Sequence, residues 1–98
     1  MAYEIVPKDR FKKKVIKVLE FPEKEWSHKV AQEFLKKIDR KLDLLSKQPA
    51  IGRSSQKYKN VRGILITRHN KIYYRIQGHK VIIINLFDTR TDPEKNPY

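Results

Sequence analysis

The sequence contains no cysteine. That excludes disulfides and thiolate metal sites, and it permits a reducing cytoplasm. Glycine is scarce, and Gly52, Gly63 and Gly78 lie too far apart to form a Gly-rich phosphate loop. The histidines His28, His69 and His79 show no HxxxH or HExxH spacing and the acids are scattered, so neither a metal nor another cofactor is expected. Residues 1–10 lack the apolar run of a secretory signal. No stretch approaches the roughly 20 apolar residues needed to span a bilayer. A chain of 98 residues is therefore expected to form a single cytoplasmic domain over 1–98 with no membrane contact. Negative charge is the last scarcity: 11 acids face 23 Lys and Arg, for a formal net charge of +12. Such an excess predicts attraction to polyanions such as nucleic acid, the ribosome or an anionic membrane surface, or to an acidic protein partner.

What the sequence has is a β-rich C-terminal half. Residues 61–90 read VRGILITRHNKIYYRIQGHKVIIINLFDTR, with Val, Ile, Tyr and Phe dominating three runs. Turn signals at His69-Asn70 and Gly78-His79 predict an antiparallel meander over 61–68, 71–77 and 80–89. Two-residue turns at both places would set Ile66 opposite Tyr73, Ile64 opposite Arg75 and Arg75 opposite Ile82. Alternation then puts Arg62, Arg68, Lys71, Tyr73 and Arg75 on one face, with Arg90 at the exit of the last strand and a floor of Ile64, Ile66, Ile82, Ile84 and Leu86. Val61, Leu65, Ile72, Tyr74, Ile76, Val81, Ile83 and Phe87 fall on the other face, which is the predicted core. His69 and His79 sit at turn tips and read as surface residues.

Upstream, residues 3–6 (YEIV) suggest a short strand stopped by Pro7. A helix fits 8–20, with Phe11, Val15, Val18 and Leu19 on one side, and Phe21-Pro22 breaks it. In the second helix Trp26, Val30, Phe34, Ile38, Leu42 and Leu45 form a stripe, widened by Ala31 and Leu35, with Ser27 as N-cap and Pro49 and Gly52 beyond its end. Two amphipathic helices joined by a short break predict an antiparallel hairpin. Its apolar side needs the apolar face of the meander. The expected fold is thus a two-layer α+β domain in the order β-α-α-β-β-β. Residues 51–60 (IGRSSQKYKN) read as a polar loop.

This order resembles the RelE/ParE superfamily of toxins from bacterial type II toxin–antitoxin pairs. The resemblance is carried by LDLLSKQPAIGR (42–53), VRGILI (61–66), KIYYRI (71–76) and IIINLFDTRTDP (82–93). It implies a small basic toxin held inactive by a cognate antitoxin. RelE-like members cut mRNA in the ribosomal A site without metal, whereas ParE-like members share the fold and poison DNA gyrase. By the same resemblance Arg62 matches the first basic position of the first meander strand, Lys71 a middle-strand Arg, Arg90 the Arg ending the last strand and Tyr98 the terminal Tyr. Ile64 stands where RelE-type enzymes have a second basic residue.

RNA cleavage without metal needs a base for the 2′-OH, positive charge around the phosphate and an acid for the leaving 5′-oxygen. The expectation is that Arg62 and Arg90 clamp phosphate, Tyr98 stacks or transfers a proton, and Lys71 is a candidate base. Arg53, Lys57, Lys59, Arg68, Tyr73 and Arg75 are the expected RNA-binding residues. Three readings stay open: a ribosome-dependent mRNA endonuclease, a non-enzymatic gyrase poison and a plain nucleic-acid-binding module.

Overall fold

A computed structural model describes residues 2–20, 28–90 and 98. Strand β1 (Glu4–Pro7) is followed by helices α1 (Asp9–Leu19) and α2 (His28–Lys47), a 3-10 turn (Pro49–Ile51), and strands β2 (Arg53–Ser54), β3 (Val61–Thr67), β4 (Asn70–Gln77) and β5 (Lys80–Asp88). The sheet runs β1-β5-β4-β3-β2. The meander forms as expected, and β1 adds to it in parallel beside β5, pairing Glu4 with Lys80 and Pro7 with Ile83. An edge position is where a strand tolerates proline. The predicted loop over 51–60 hides the short β2, which pairs Arg53 with Gly63 and Ser54 with Arg62.

Both helices pack on one sheet face. Phe11 of α1 and Phe34, Ile38 and Leu45 of α2 share a core with Ile66, Ile72, Tyr74, Val81, Ile83 and Leu86. Leu35 and Val30, expected on the α2 stripe, are exposed instead. Phe21, Pro22, Trp26 and Ser27, and with them the helix break and the N-cap, lie outside the described residues, as does the His28 side chain. No helix among the described residues is long and apolar enough to cross a membrane.

The register corrects the predicted faces. The second turn is Gly78-His79 as expected, with Gly78 at φ +58° and Gln77 opposite Lys80. The first turn is Arg68-His69, one residue earlier than predicted, because Thr67 pairs with Asn70. The Thr67 hydroxyl oxygen secures it by accepting from His69 N–H and Asn70 Nδ2, both at 3.1 Å. With a bulge between Leu65 and Thr67, Ile64 faces Ile72 rather than Arg75. An odd slip inverts a strand. Ile64 and Ile66 therefore serve the core, Leu65 is exposed, and Arg62 stands opposite Tyr74 on the helical side. A second bulge, between Tyr73 and Tyr74, leaves Ile84 without a partner on β4 and pairs Tyr73 with Asn85 and Lys71 with Phe87. Leu86 then turns to the core and Phe87 to the outer face, the reverse of the predicted assignment.

Candidate nucleic-acid interface

The outer sheet face is built on a missing side chain. Gly63 of β3 lies between Arg53 of β2 and Tyr73 of β4. A Cβ there would stand 2.6 Å from Lys71 Cε and 2.9 Å from Tyr73 Cε1, so Lys71 and Tyr73 lie across β3 because residue 63 is glycine. Tyr73 is 4% exposed. Its ring stacks on Tyr98 at 4.3 Å, meets Phe87 edge-on at 6.2 Å and carries Lys71 Nζ 5.2 Å from its centroid. Tyr58 adjoins Tyr98 at 6.0 Å, completing a ladder of three tyrosines.

Polar contacts fix the outer rings. Ser55 Oγ donates to the Tyr98 carbonyl oxygen and accepts from Lys57 N–H and Tyr58 N–H, each at 3.1 Å. The buried Asn85 directs Nδ2 toward Tyr98 Oη at 3.5 Å, while its Oδ1 accepts from Leu86 N–H at 2.9 Å. Beside the ladder opens a cleft of about 330 Å³ lined by Arg53, Ser54, Ser55, Gln56, Lys57, Lys71, Tyr73 and Tyr98. Among the described residues its charged side chains are Arg53, Lys57 and Lys71, all cationic. Two aromatic rings stand among three cations, a combination suited to a phosphodiester and the base attached to it.

The predicted site residues divide. Lys71, Tyr98, Arg53, Lys57 and Tyr73 come together here. Tyr73 is a buried platform for Tyr98 rather than an open surface for a base. Arg75 shares the outer face and is exposed, but lies two residues past Tyr73 and outside the cleft lining; Lys59 is exposed on the loop. Arg68 is exposed in the first turn.

Arg62 and Arg90 depart furthest from expectation. The Arg62 guanidinium donates to Gly52 O at 2.8 Å and Ala50 O at 3.2 Å. It closes the turn after α2 together with Tyr74, whose hydroxyl donates to Pro49 O at 2.7 Å and accepts from Gly52 N–H at 2.9 Å. Burial pushes the Tyr74 phenol above its ordinary 10.0, against the opposing pull of Gly52 N–H and the Arg62 charge. Arg90 forms a two-point pair with Asp88, Nε to Oδ1 at 3.0 Å and Nη2 to Oδ2 at 2.8 Å, and these bonds hold the Asp88 carboxyl below its ordinary 3.8. Arg62, Arg75 and Arg90 thus do not converge; the cations that do meet in one cleft are Arg53, Lys57 and Lys71. Arg90 instead borders a larger groove of about 740 Å³ on the helical side, with Lys14, Lys17, Lys37 and His69 among its lining. That groove carries Glu33 and Asp88 among its cations, and among the described residues its one aromatic besides His69 is the buried Phe34. It is therefore the weaker nucleic-acid candidate despite its size.

Gly63, Ser55, Asn85 and Tyr58 do not stand out as site residues in the sequence. Only Tyr58 left a trace there, as an aromatic between Lys57 and Lys59 in a polar loop.

Residues 5–93 match the family model for the ParE toxin of the type II toxin–antitoxin system parDE. The chain belongs to this toxin family. No curated protein sequence is significantly similar to the toxin. Among solved structures it resembles a chain of the RelBE2 toxin–antitoxin complex from Mycobacterium tuberculosis, at TM-score 0.64 and 12% identity over 90% of this chain and 99% of that one. It also resembles a chain of the DinJ–YafQ toxin–antitoxin complex from E. coli, at TM-score 0.65 and 10% identity over 92% and 96%. A conserved hypothetical protein from Helicobacter pylori superposes at TM-score 0.58 and 17% identity over 90% and 96%. At these identities the likeness is one of fold and carries no chemistry across to the toxin.

Proposed function

We propose that the toxin is a ribosome-dependent endoribonuclease that cuts mRNA by 2′-OH attack on the adjacent phosphate and is neutralised by a cognate antitoxin. The observation that carries this reading is the meeting of Lys71 and Tyr98 with Arg53 and Lys57 in one cleft. Arg53 and Lys57 hold the scissile phosphate and balance the charge that grows on it, Arg through its two-point fork. Lys71 takes the 2′-OH proton as that oxygen bonds to phosphorus, and Tyr98 Oη gives a proton to the departing 5′-oxygen. The products are a 2′,3′-cyclic phosphate and a free 5′-hydroxyl. Primer extension on transcripts after brief expression tests the reading: codon-phased cuts within translated messages are expected.

A gyrase poison is the second reading. It is favoured by the ParE description of the matched family and by the engagement of Arg62 and Arg90 in contacts of the chain's own, with Ile64 packed against the core. Intact messages accompanied by linearised, gyrase-bound DNA would select it. The antitoxin in either case must cover a basic surface, so an acidic, amphipathic segment fits.

A further inference from the structure

Tyr58 lies outside the cleft lining yet beside it. Its side chain is among the most exposed large apolar groups of the described residues, at 52%, and its ring is 6.0 Å from that of Tyr98 with the planes 59° apart. The loop that carries it is built rather than loose. Ser55 N–H donates to Val61 O at 2.7 Å, Tyr58 N–H to Ser55 Oγ at 3.1 Å and Val61 N–H to Tyr58 O at 3.4 Å, and Asn60 takes a φ of +68° to close the turn. Asparagine is one of the few residues that adopt that region readily. An ordered loop thus holds an aromatic ring half in solvent, where burial contributes little, between Lys57 and Lys59 in the sequence.

We propose that Tyr58 is the nucleobase-recognition residue of the cleft. A base of single-stranded RNA stacks on the open side of its ring and extends the Tyr73–Tyr98–Tyr58 ladder, while the attached phosphate lies over Lys57 and Arg53. This rests on the endoribonuclease reading and names the subsite that reading leaves open. Stacking is tolerant of base identity and grows with ring area, so the subsite prefers purines without demanding one. Its loss costs about tenfold or more in affinity.

The test is titration of the full-length toxin into an uncleavable 2′-O-methyl oligoribonucleotide carrying one 2-aminopurine, followed by anisotropy and by quenching of the purine. The wild type binds and quenches. Tyr58→Ala and Tyr58→Leu bind about tenfold more weakly with the quench lost, whereas Tyr58→Phe keeps both, because the ring and not the hydroxyl makes the contact. Circular dichroism shows all three folded. Binding and quenching by Tyr58→Ala at the wild-type level would overturn the role of Tyr58 and leave the RNA reading standing. Failure of the wild type to bind or quench at low salt would overturn the base subsite, whereas the ribosome-dependent cleavage reading is overturned by intact translated messages in primer extension.

Discussion

Tyr98 lies face to face with Tyr73, their ring centroids 4.3 Å apart and their planes 23° from parallel. One ring is buried in the sheet surface and the other forms a wall of the cationic cleft. The pair joins the fold to the site, so substitutions at residue 98 separate packing from chemistry. Tyr98→Phe keeps the stack and removes the hydroxyl. RNA cleavage should fall about 10²- to 10⁴-fold, with only a small loss of stability from the 3.5 Å contact of Asn85 Nδ2. Tyr98→Ala should lose as much activity and in addition about 1 kcal/mol of stability, measured by urea unfolding. Full activity in Tyr98→Phe would remove the proposed proton donor.

Gly63→Ala tests how the site is held together. The added methyl would sit 2.6 Å from Lys71 Cε and 2.9 Å from Tyr73 Cε1. Lys71 can swing away, whereas the enclosed Tyr73 ring cannot do so freely. A stability loss of about 1–3 kcal/mol is expected, with a larger proportional loss of cleavage, read by unfolding and by primer extension on the same preparations.

Arg62 supports the fold, and Arg62→Ala should show it. The substitution removes donors to Gly52 O and Ala50 O. About 1–2 kcal/mol of stability should go, the partial exposure of the contact keeping the figure modest. Activity per folded molecule should remain. Lost activity at unchanged stability would return Arg62 to the phosphate-binding role suggested by its place in the sequence.

Tyr74 sets an alkaline limit. Burial, the largest influence, raises its pKa above the unfolded value of 10.0. The folded state therefore retains the proton longer than the unfolded chain does. This stabilisation is complete below pH 10 and is lost as pH rises through the folded pKa. Urea midpoints should fall as pH rises above 10, and Tyr74→Phe should flatten that fall. The same substitution lowers stability at neutral pH by about 1–3 kcal/mol, because Gly52 N–H and Pro49 O lose their partner.

The layers were legible in the sequence and the faces only in part. Periodicity located both helices and all three meander strands, and β4 alternates as read, with Ile72 and Tyr74 inward and Lys71 and Tyr73 outward. The inversion of β3 was not legible. His69-Asn70 and Arg68-His69 are both workable turns, and the choice rests on the Thr67 hydroxyl and a bulge that no local pattern announces. The earlier turn alone shifts β3 by two partners and keeps its faces; the bulge between Leu65 and Thr67 adds the odd residue that carried Arg62 to the helical side and Leu65 outward. β2 was illegible for a related reason: two residues are too few to show alternation. The cleft depends on contacts far apart along the chain, such as Ser55 with Tyr98 and Arg53 with Gly63, which charge patterning could suggest but not pair.

Cleavage of an mRNA in a purified translation system, followed by primer extension, tests most directly whether Lys71 and Tyr98 work on RNA together. The wild type should cut at codon-phased positions, whereas Lys71→Ala and Tyr98→Phe, both folded, should each lose about 10²- to 10⁴-fold. Intact messages with the wild type, or a Lys71→Ala protein cutting at the wild-type rate, would contradict that joint role.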